Sequence, residues 1–207
     1  MFINMRHRIF IASHLPDNIK KIFIDYQQRK LSNHCFRLLP ERALHLTLIF
    51  IGYVFSNDLS RAKREKRFPS DSEGFLLKIN RACQNAASLF SPIEIKLKKI
   101  SYGPNLHSPR LIWAEGETSK YLDQFHKTLE TNLINEGINF KLENRLFKPH
   151  ITLARFEKDF SQKLPLSKEI EEKIENSFLI NSISVIESKL SRQGPEYTDL
   201  ATSPLNK

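Results

Sequence analysis

The sequence predicts an α+β fold: a bilobal chain whose two antiparallel sheets face a central cleft, with helices outside and a pseudo-twofold internal duplication. Three observations predict it. Apolar residues switch between strand-like and helix-like spacing along the chain. The order strand, helix, strand occurs twice. A string of the form His-apolar-Thr-apolar stands on one strand of each half, as His45-Leu46-Thr47-Leu48 and His150-Ile151-Thr152-Leu153.

The elements follow in order. Ile9 to Ala12 reads as a short buried strand. Leu15-Pro16-Asp17 opens an amphipathic helix, since Pro suits a first helical turn and Asp suits the positive end of the helix dipole. Ile19, Ile22, Phe23 and Tyr26 hold helical spacing, and the helix ends near Lys30. Leu44 to Ile51 is a strand stopped by Gly52, with His45, Thr47 and Ile49 on one face. Ser56 to Gly74 breaks the pattern and contains the basic run Arg61 to Arg67. It is read as a solvated surface insertion at about 56–74, in preference to an RNA-contacting arm.

Phe75 to Phe90 returns to helical spacing. Ile93, Ile95 and Leu97 alternate with charged residues, as on a half-exposed strand. Tyr102 to Pro109 is a loop, Leu111 to Ala114 a strand, and Tyr121 to Ile134 a helix with Gly137 after its end. Pro149 precedes the strand Ile151 to Ala154. Leu166 to Phe178 reads as a short charged helix. Ile183 to Leu190 and Tyr197 to Ala201 close the fold. Residues 1–207 make a single domain, with enough apolar residues (40%) to bury a sizeable core.

Composition narrows the function classes. Lys plus Arg is 32 against 23 for Asp plus Glu, a formal charge of +9 that attracts polyanions such as RNA, DNA and nucleotides. The two cysteines, Cys35 and Cys83, form no CxxC pair and read as buried free thiols. No signal peptide and no membrane span is read, so the expected location is the cytoplasm and no membrane partner is expected. A monomer is expected.

The paired strings carry the chemistry. Period two puts His45 with Thr47, and His150 with Thr152, on one face of each strand. Imidazole titrates near 6.5, so both protonation states are accessible at neutral pH. Two imidazoles flanking a phosphorus can divide acid and base roles, while hydroxyls hold non-bridging oxygens. One such string matches by accident easily; two, 105 positions apart on corresponding strands, do not. The other five histidines lack this context and read as surface or structural. There is no GxSxG, no Gly-rich phosphate loop and no zinc spacing. No carboxylate completes either string, so neither a metal nor a cofactor is expected.

With these residues in view, the sequence resembles the 2H phosphoesterase superfamily, and within it the RNA 2′,3′-cyclic phosphodiesterases long called 2′-5′ RNA ligases. The resemblance runs through Arg8 to Ala12 with Leu15-Pro16, Leu39 to Gly52, Pro109 to Ala114, Phe147 to Arg155, and the ending Glu187 to Leu190 with Gly194-Pro195 and Tyr197-Thr198. It implies the bilobal fold, and hydrolysis of RNA 2′,3′-cyclic phosphate ends to 2′-phosphates without metal, with reversible 2′-5′ ligation as a companion activity. It makes His45 the acid and His150 the base, an order the residues themselves leave open. It gives Thr47, Thr152 and Arg155 to the phosphate. Phe36-Arg37 stands where the family often has an aromatic residue before a basic one. Phe36 is therefore either a base-stacking surface or a core residue. Two other readings stay open: an RNA-binding module with vestigial catalysis, and a phosphodiesterase for 2′-5′ oligonucleotides or small cyclic nucleotides.

Overall fold

The structure is a computed structural model that describes residues 6–32, 36–55, 74–104, 108–142, 145–156, 167–191 and 194–206. The chain opens with strand β1 (Arg6–His14) and helix α1 (Asp17–Tyr26), which runs into a π-helical turn (Gln27–Leu31). β2 (Phe36–Leu38), a 3-10 turn (Glu41–Ala43) and β3 (His45–Phe55) follow. Next come α2 (Phe75–Ala87), β4 (Ile93–Gly103), β5 (Leu111–Gly116) and α3 (Lys120–Asn135). β6 (His150–Phe156), α4 (Ser167–Ile170), β7 (Glu172–Lys173), β8 (Ser177–Ile180), β9 (Ser182–Ser191) and β10 (Gly194–Pro204) complete it.

The strands form one antiparallel sheet in the order β10-β9-β1-β3-β6-β5-β4-β7, with β2 added to β6 and β8 to β4. The sequence predicted two sheets; the ladder is instead continuous. Its two halves meet at β3 and β6 through a single residue pair, Leu46 opposite Ile151.

The faces of the sheet differ. On β1, Ile9 and Ile11 enter the main core with Ile19, Phe23 and Tyr26 of α1 and Leu122, Phe125 and Leu129 of α3. Phe10 and Ala12 point the other way and join Ile186 in a small separate cluster. That second face carries both strings. The helices lie on the first, because each has one apolar stripe to bury.

Local chemistry fixes the helix ends. Pro16, in extended conformation, precedes α1, and Asp17 sits in its first turn. Ser119 caps α3 by accepting from the Leu122 amide at 3.0 Å. Gly137, at φ +73°, ends α3 in a Schellman arrangement, with Ile138 N donating to Leu133 O and Gly137 N to Ile134 O.

Four expectations are corrected. Gly52 does not stop β3; at φ +109° it lies in the strand, opposite Ile9, and the register slips one residue there. Ile49 is buried in the core, away from His45 and Thr47, because a bulge at Leu48 reverses the alternation. Tyr102 and Gly103 belong to β4 and pair with Ile112 and Leu111. Among the described residues of the expected charged helix, only Ser167–Ile170 is helical. Ile170, Ile174 and Phe178 have helical spacing, but Phe178 and Ile180 alternate into the core as β8 along the edge of β4. The expected 56–74 insertion falls outside the described residues but for Gly74, as do Cys35, His34 and His107. Cys83 is a buried free thiol. Among the described residues no helix is long and apolar enough to cross a membrane.

Candidate active site

The site is built around the Leu46–Ile151 pair. In that antiparallel register, one step either way sets His45 beside Thr152 and Thr47 beside His150. The two strings thus cross, each imidazole next to the other string's hydroxyl, all on the face away from the main core. Both threonines are half-buried, and their hydroxyls make no hydrogen bond among the described residues.

Each imidazole is held in the same way. One ring nitrogen is tied to the carbonyl two residues upstream: His150 Nδ1–H donates to Lys148 O at 3.0 Å, and His45 hydrogen-bonds the Ala43 backbone. Such a bond fixes ring orientation and tautomer. Each ring also leans on an aromatic residue from the neighbouring strand. Phe10 on β1 stacks on His45 at 4.9 Å between centroids, and Trp113 on β5 lies 4.6 Å from His150. Tyr197 closes on His45 from β10 at 5.2 Å, edge to face.

The enclosure has an electrostatic result. Burial pushes the His45 pKa down to about 4; the Ala43 carbonyl opposes this, and the positive charges of His14, Arg155 and His150 add to it. His45 is therefore neutral at pH 7 in the free protein. Glu115 shows the opposite balance. Burial would raise its pKa, but Lys148 at 2.7 Å, Trp113 Nε1 at 2.9 Å and Ser101 Oγ at 3.1 Å outweigh this and hold it ionised. Glu115 pairs across the strands with His150, so this buried carboxylate anchors the indole on which His150 rests.

Arg155 lies three residues beyond Thr152, an odd offset that a flat strand would send to the opposite face. A bulge at Leu153 corrects it: Thr152 pairs with Trp113, Ala154 with Ile112, and Arg155 with Leu111. Arg155 thereby shares the face of His150, Thr152 and Trp113. Leu48 is the matching bulge on β3. Both bulge residues are the fourth of their string, and each bulge carbonyl is held by a buried side chain from a helix of the opposite half. Gln27 Nε2 donates to Leu153 O at 2.7 Å and His126 Nε2 to Leu48 O at 3.0 Å. His126 is thus structural, as expected, and stacks on Phe147.

Arg155 has company. Arg37 pairs with it across β2 and β6, Arg8 lies over the Phe50 ring at 4.6 Å, and both act on Arg155 and on the Tyr197 phenol. Burial, with the like charges of Arg8 and Arg37, lowers the Arg155 pKa against the pull of Tyr197. Burial likewise raises Tyr197, against the three arginines. Phe36 is corrected as a base-stacking candidate. It is 8% exposed, on the core side of β2, and its ring stacks on Phe156 at 5.3 Å. Its neighbour Arg37 takes the site-facing position. His14, read from sequence as surface or structural, pairs with His45 across β1 and β3 and binds Asp199 at 2.7 Å.

Nothing in the sequence marked Phe10, Tyr197, Trp113, Glu115 and Arg8 as site residues, and Arg37 was noted only as the basic residue after Phe36. Strand pairing brings them in, and no local motif announces that.

Two strands, each offering an imidazole and a hydroxyl to one face of an antiparallel sheet in a mixed α/β fold, define a two-histidine phosphoesterase architecture. The chain belongs to the 2′-5′ RNA ligase superfamily, whose family model matches residues 16–192. It is similar to the RNA 2′,3′-cyclic phosphodiesterase of Methanocaldococcus jannaschii (29% identity; 92% of this chain, 96% of that one). It is also similar to that of Thermus thermophilus (26%; 93% and 87%). Among solved structures, a Thermus thermophilus protein superposes with TM-score 0.73 at 24% identity, covering 96% of this chain and 97% of that one. Escherichia coli LigT complexed with 3′-AMP gives 0.67 at 22%, covering 98% and 100%.

Proposed function

We propose that this chain hydrolyses 2′,3′-cyclic phosphate ends of RNA to 2′-phosphates, with His45 and His150 as acid and base. The crossed placement on one face of two tethered imidazoles and two hydroxyls that have no hydrogen-bond partner among the described residues carries this reading. The names of the relatives, RNA 2′,3′-cyclic phosphodiesterases, supply the substrate class.

In the proposed step, His150 takes a proton from water as its oxygen attacks phosphorus. The P–O3′ bond breaks, and His45 delivers a proton to the leaving 3′ oxygen. A 2′-phosphate monoester and a free 3′ hydroxyl result. Thr47, Thr152 and Arg155 hold the non-bridging oxygens in line. His45 is neutral in the free protein, so its proton is acquired with the substrate, whose phosphate charge offsets the effect of burial. With the 5′ hydroxyl of a second RNA in place of water, the same step forms a P–O5′ bond as the P–O3′ bond breaks, and the product is a 2′-5′ linkage with a free 3′ hydroxyl. We read the chain as one bilobal domain, monomeric and cytoplasmic, acting on RNA. Its pseudo-twofold is the correspondence of β1-α1-β3 with β5-α3-β6, each ending on its HxT strand.

The test is a short RNA ending in a 2′,3′-cyclic phosphate, incubated with the protein in EDTA. Conversion to a phosphatase-sensitive 2′-monoester is expected, with turnover reduced about 10²- to 10⁴-fold in each of His45→Ala and His150→Ala. Folded variants as active as wild type would overturn the acid/base pair.

A further inference from the structure

We propose that Lys99 and Lys173 form a second binding site, for backbone phosphates of the RNA strand upstream of the reacting end. The inference rests on the function proposed above and extends it to a polymeric substrate.

The geometry is a single row across the sheet. His150 pairs with Glu115, Glu115 with Lys99, and Lys99 with Lys173. Residues paired in this way point to the same face, so all four share the face of the acid/base pair. With strands about 4.8 Å apart, the row ends about 14 Å from His150, within reach of a strand a few nucleotides long. A cavity of about 710 Å³ lies over it, lined by Lys99, Glu115, Lys148 and Lys173 among others.

Charge selects the ligand. Glu115 is used by Lys148 at 2.7 Å, and Glu117, at the cavity wall, by Lys98 at 3.2 Å. Glu175, also at the wall, forms no ion pair among the described residues, so the lining carries four lysines against three carboxylates. Among the described residues Lys99 and Lys173 have no carboxylate ion-pair partner. Like charges directly opposite on paired strands are destabilising. An anion bridging the two ammonium groups removes that cost, and a phosphodiester is the anion that a chain entering the cleft brings. Lysine contacts to a backbone are sequence-independent and salt-sensitive.

The experiment uses the full-length protein, a 5′-labelled hexaribonucleotide ending in a 2′-phosphate, and anisotropy from 50 to 300 mM salt. Lys99→Gln/Lys173→Gln is expected to weaken binding about tenfold and to flatten the slope of log K against log salt by about 1.4, two single-strand phosphate contacts. Its turnover of a 2′,3′-cyclic mononucleotide, which has no upstream phosphate, is expected to match wild type. Lys120→Gln/Lys127→Gln, both on α3, removes the same two charges elsewhere and controls for net charge. An unchanged slope in the double variant, an equal effect of the control, or loss of mononucleotide turnover would each overturn the site. Wild-type protein that binds the hexamer through these lysines but hydrolyses no cyclic phosphate would instead refute the proposed reaction.

Discussion

Gln27, in the turn that ends the first helix, donates its side-chain amide to Leu153 O, the carbonyl of the bulge between Thr152 and Arg155. The same nitrogen also serves Leu39 O at 2.9 Å. Gln27→Leu removes a donor from two buried carbonyls, of which Leu153 O keeps the Leu39 amide at 2.9 Å, at an expected cost of about 1–3 kcal/mol in urea unfolding. Because the bulge sets the face of Arg155, KM is expected to rise more than kcat falls. A variant with wild-type midpoint and KM would show that the amide does not hold the bulge.

His126 holds the matching bulge at Leu48. His126→Leu is expected to destabilise by a similar amount, about 1–3 kcal/mol. His126→Gln, which retains an N–H donor, is expected to recover part of this. Equal losses in both variants would assign the effect to the Phe147 stack.

The low pKa of His45 makes stability pH-dependent. The unfolded chain protonates this imidazole near 6.5 and the folded chain near 4. Between these values the unfolded state binds more protons, so folding stability falls as pH falls, by on the order of 3 kcal/mol across the window. Above 6.5 the contribution is flat. His45→Gln is expected to lose this part of the slope in unfolding experiments from pH 7.5 to 4. Parallel wild-type and variant curves would mean that His45 is not desolvated.

Gly103 leaves room for Trp113. A Cβ there would stand 2.5 and 2.6 Å from two indole carbons. Gly103→Ala therefore drives the ring toward His150 and strains its bond to Glu115, costing about 1–3 kcal/mol and lowering turnover. Trp113 is the sole tryptophan, so its fluorescence reports the movement directly. Unaltered emission with unaltered turnover would remove Trp113 from the support of His150.

The sequence made the two strings legible because period two needs only four residues to show, and the flanking strands and long helices were legible from apolar spacing. The bulges were not. One extra residue leaves no mark in an apolar run such as Leu46 to Ile51, yet it turns Ile49 inward and brings Arg155 to the site face. Pairing was equally hidden: Phe10, Tyr197, Trp113 and Glu115 reach the imidazoles across strands that are distant in sequence. Ile170, Ile174 and Phe178 had helical spacing but were recruited by the open edge of β4, a case of tertiary context overriding local pattern.

The exchange of helix contacts between halves bears on how the protein folds. α1 follows β1 in the chain, yet its end and the turn after it bind Leu153, Ile170 and Glu172 of the other half. α3 follows β5, yet it reaches Leu48 on β3 and, through Asn132, Ala82 on α2. Neither half can satisfy its own bulge carbonyl. The sheet halves, joined at one residue pair, should therefore melt in one cooperative transition, and a chain cut between them should yield two fragments that acquire structure only on mixing.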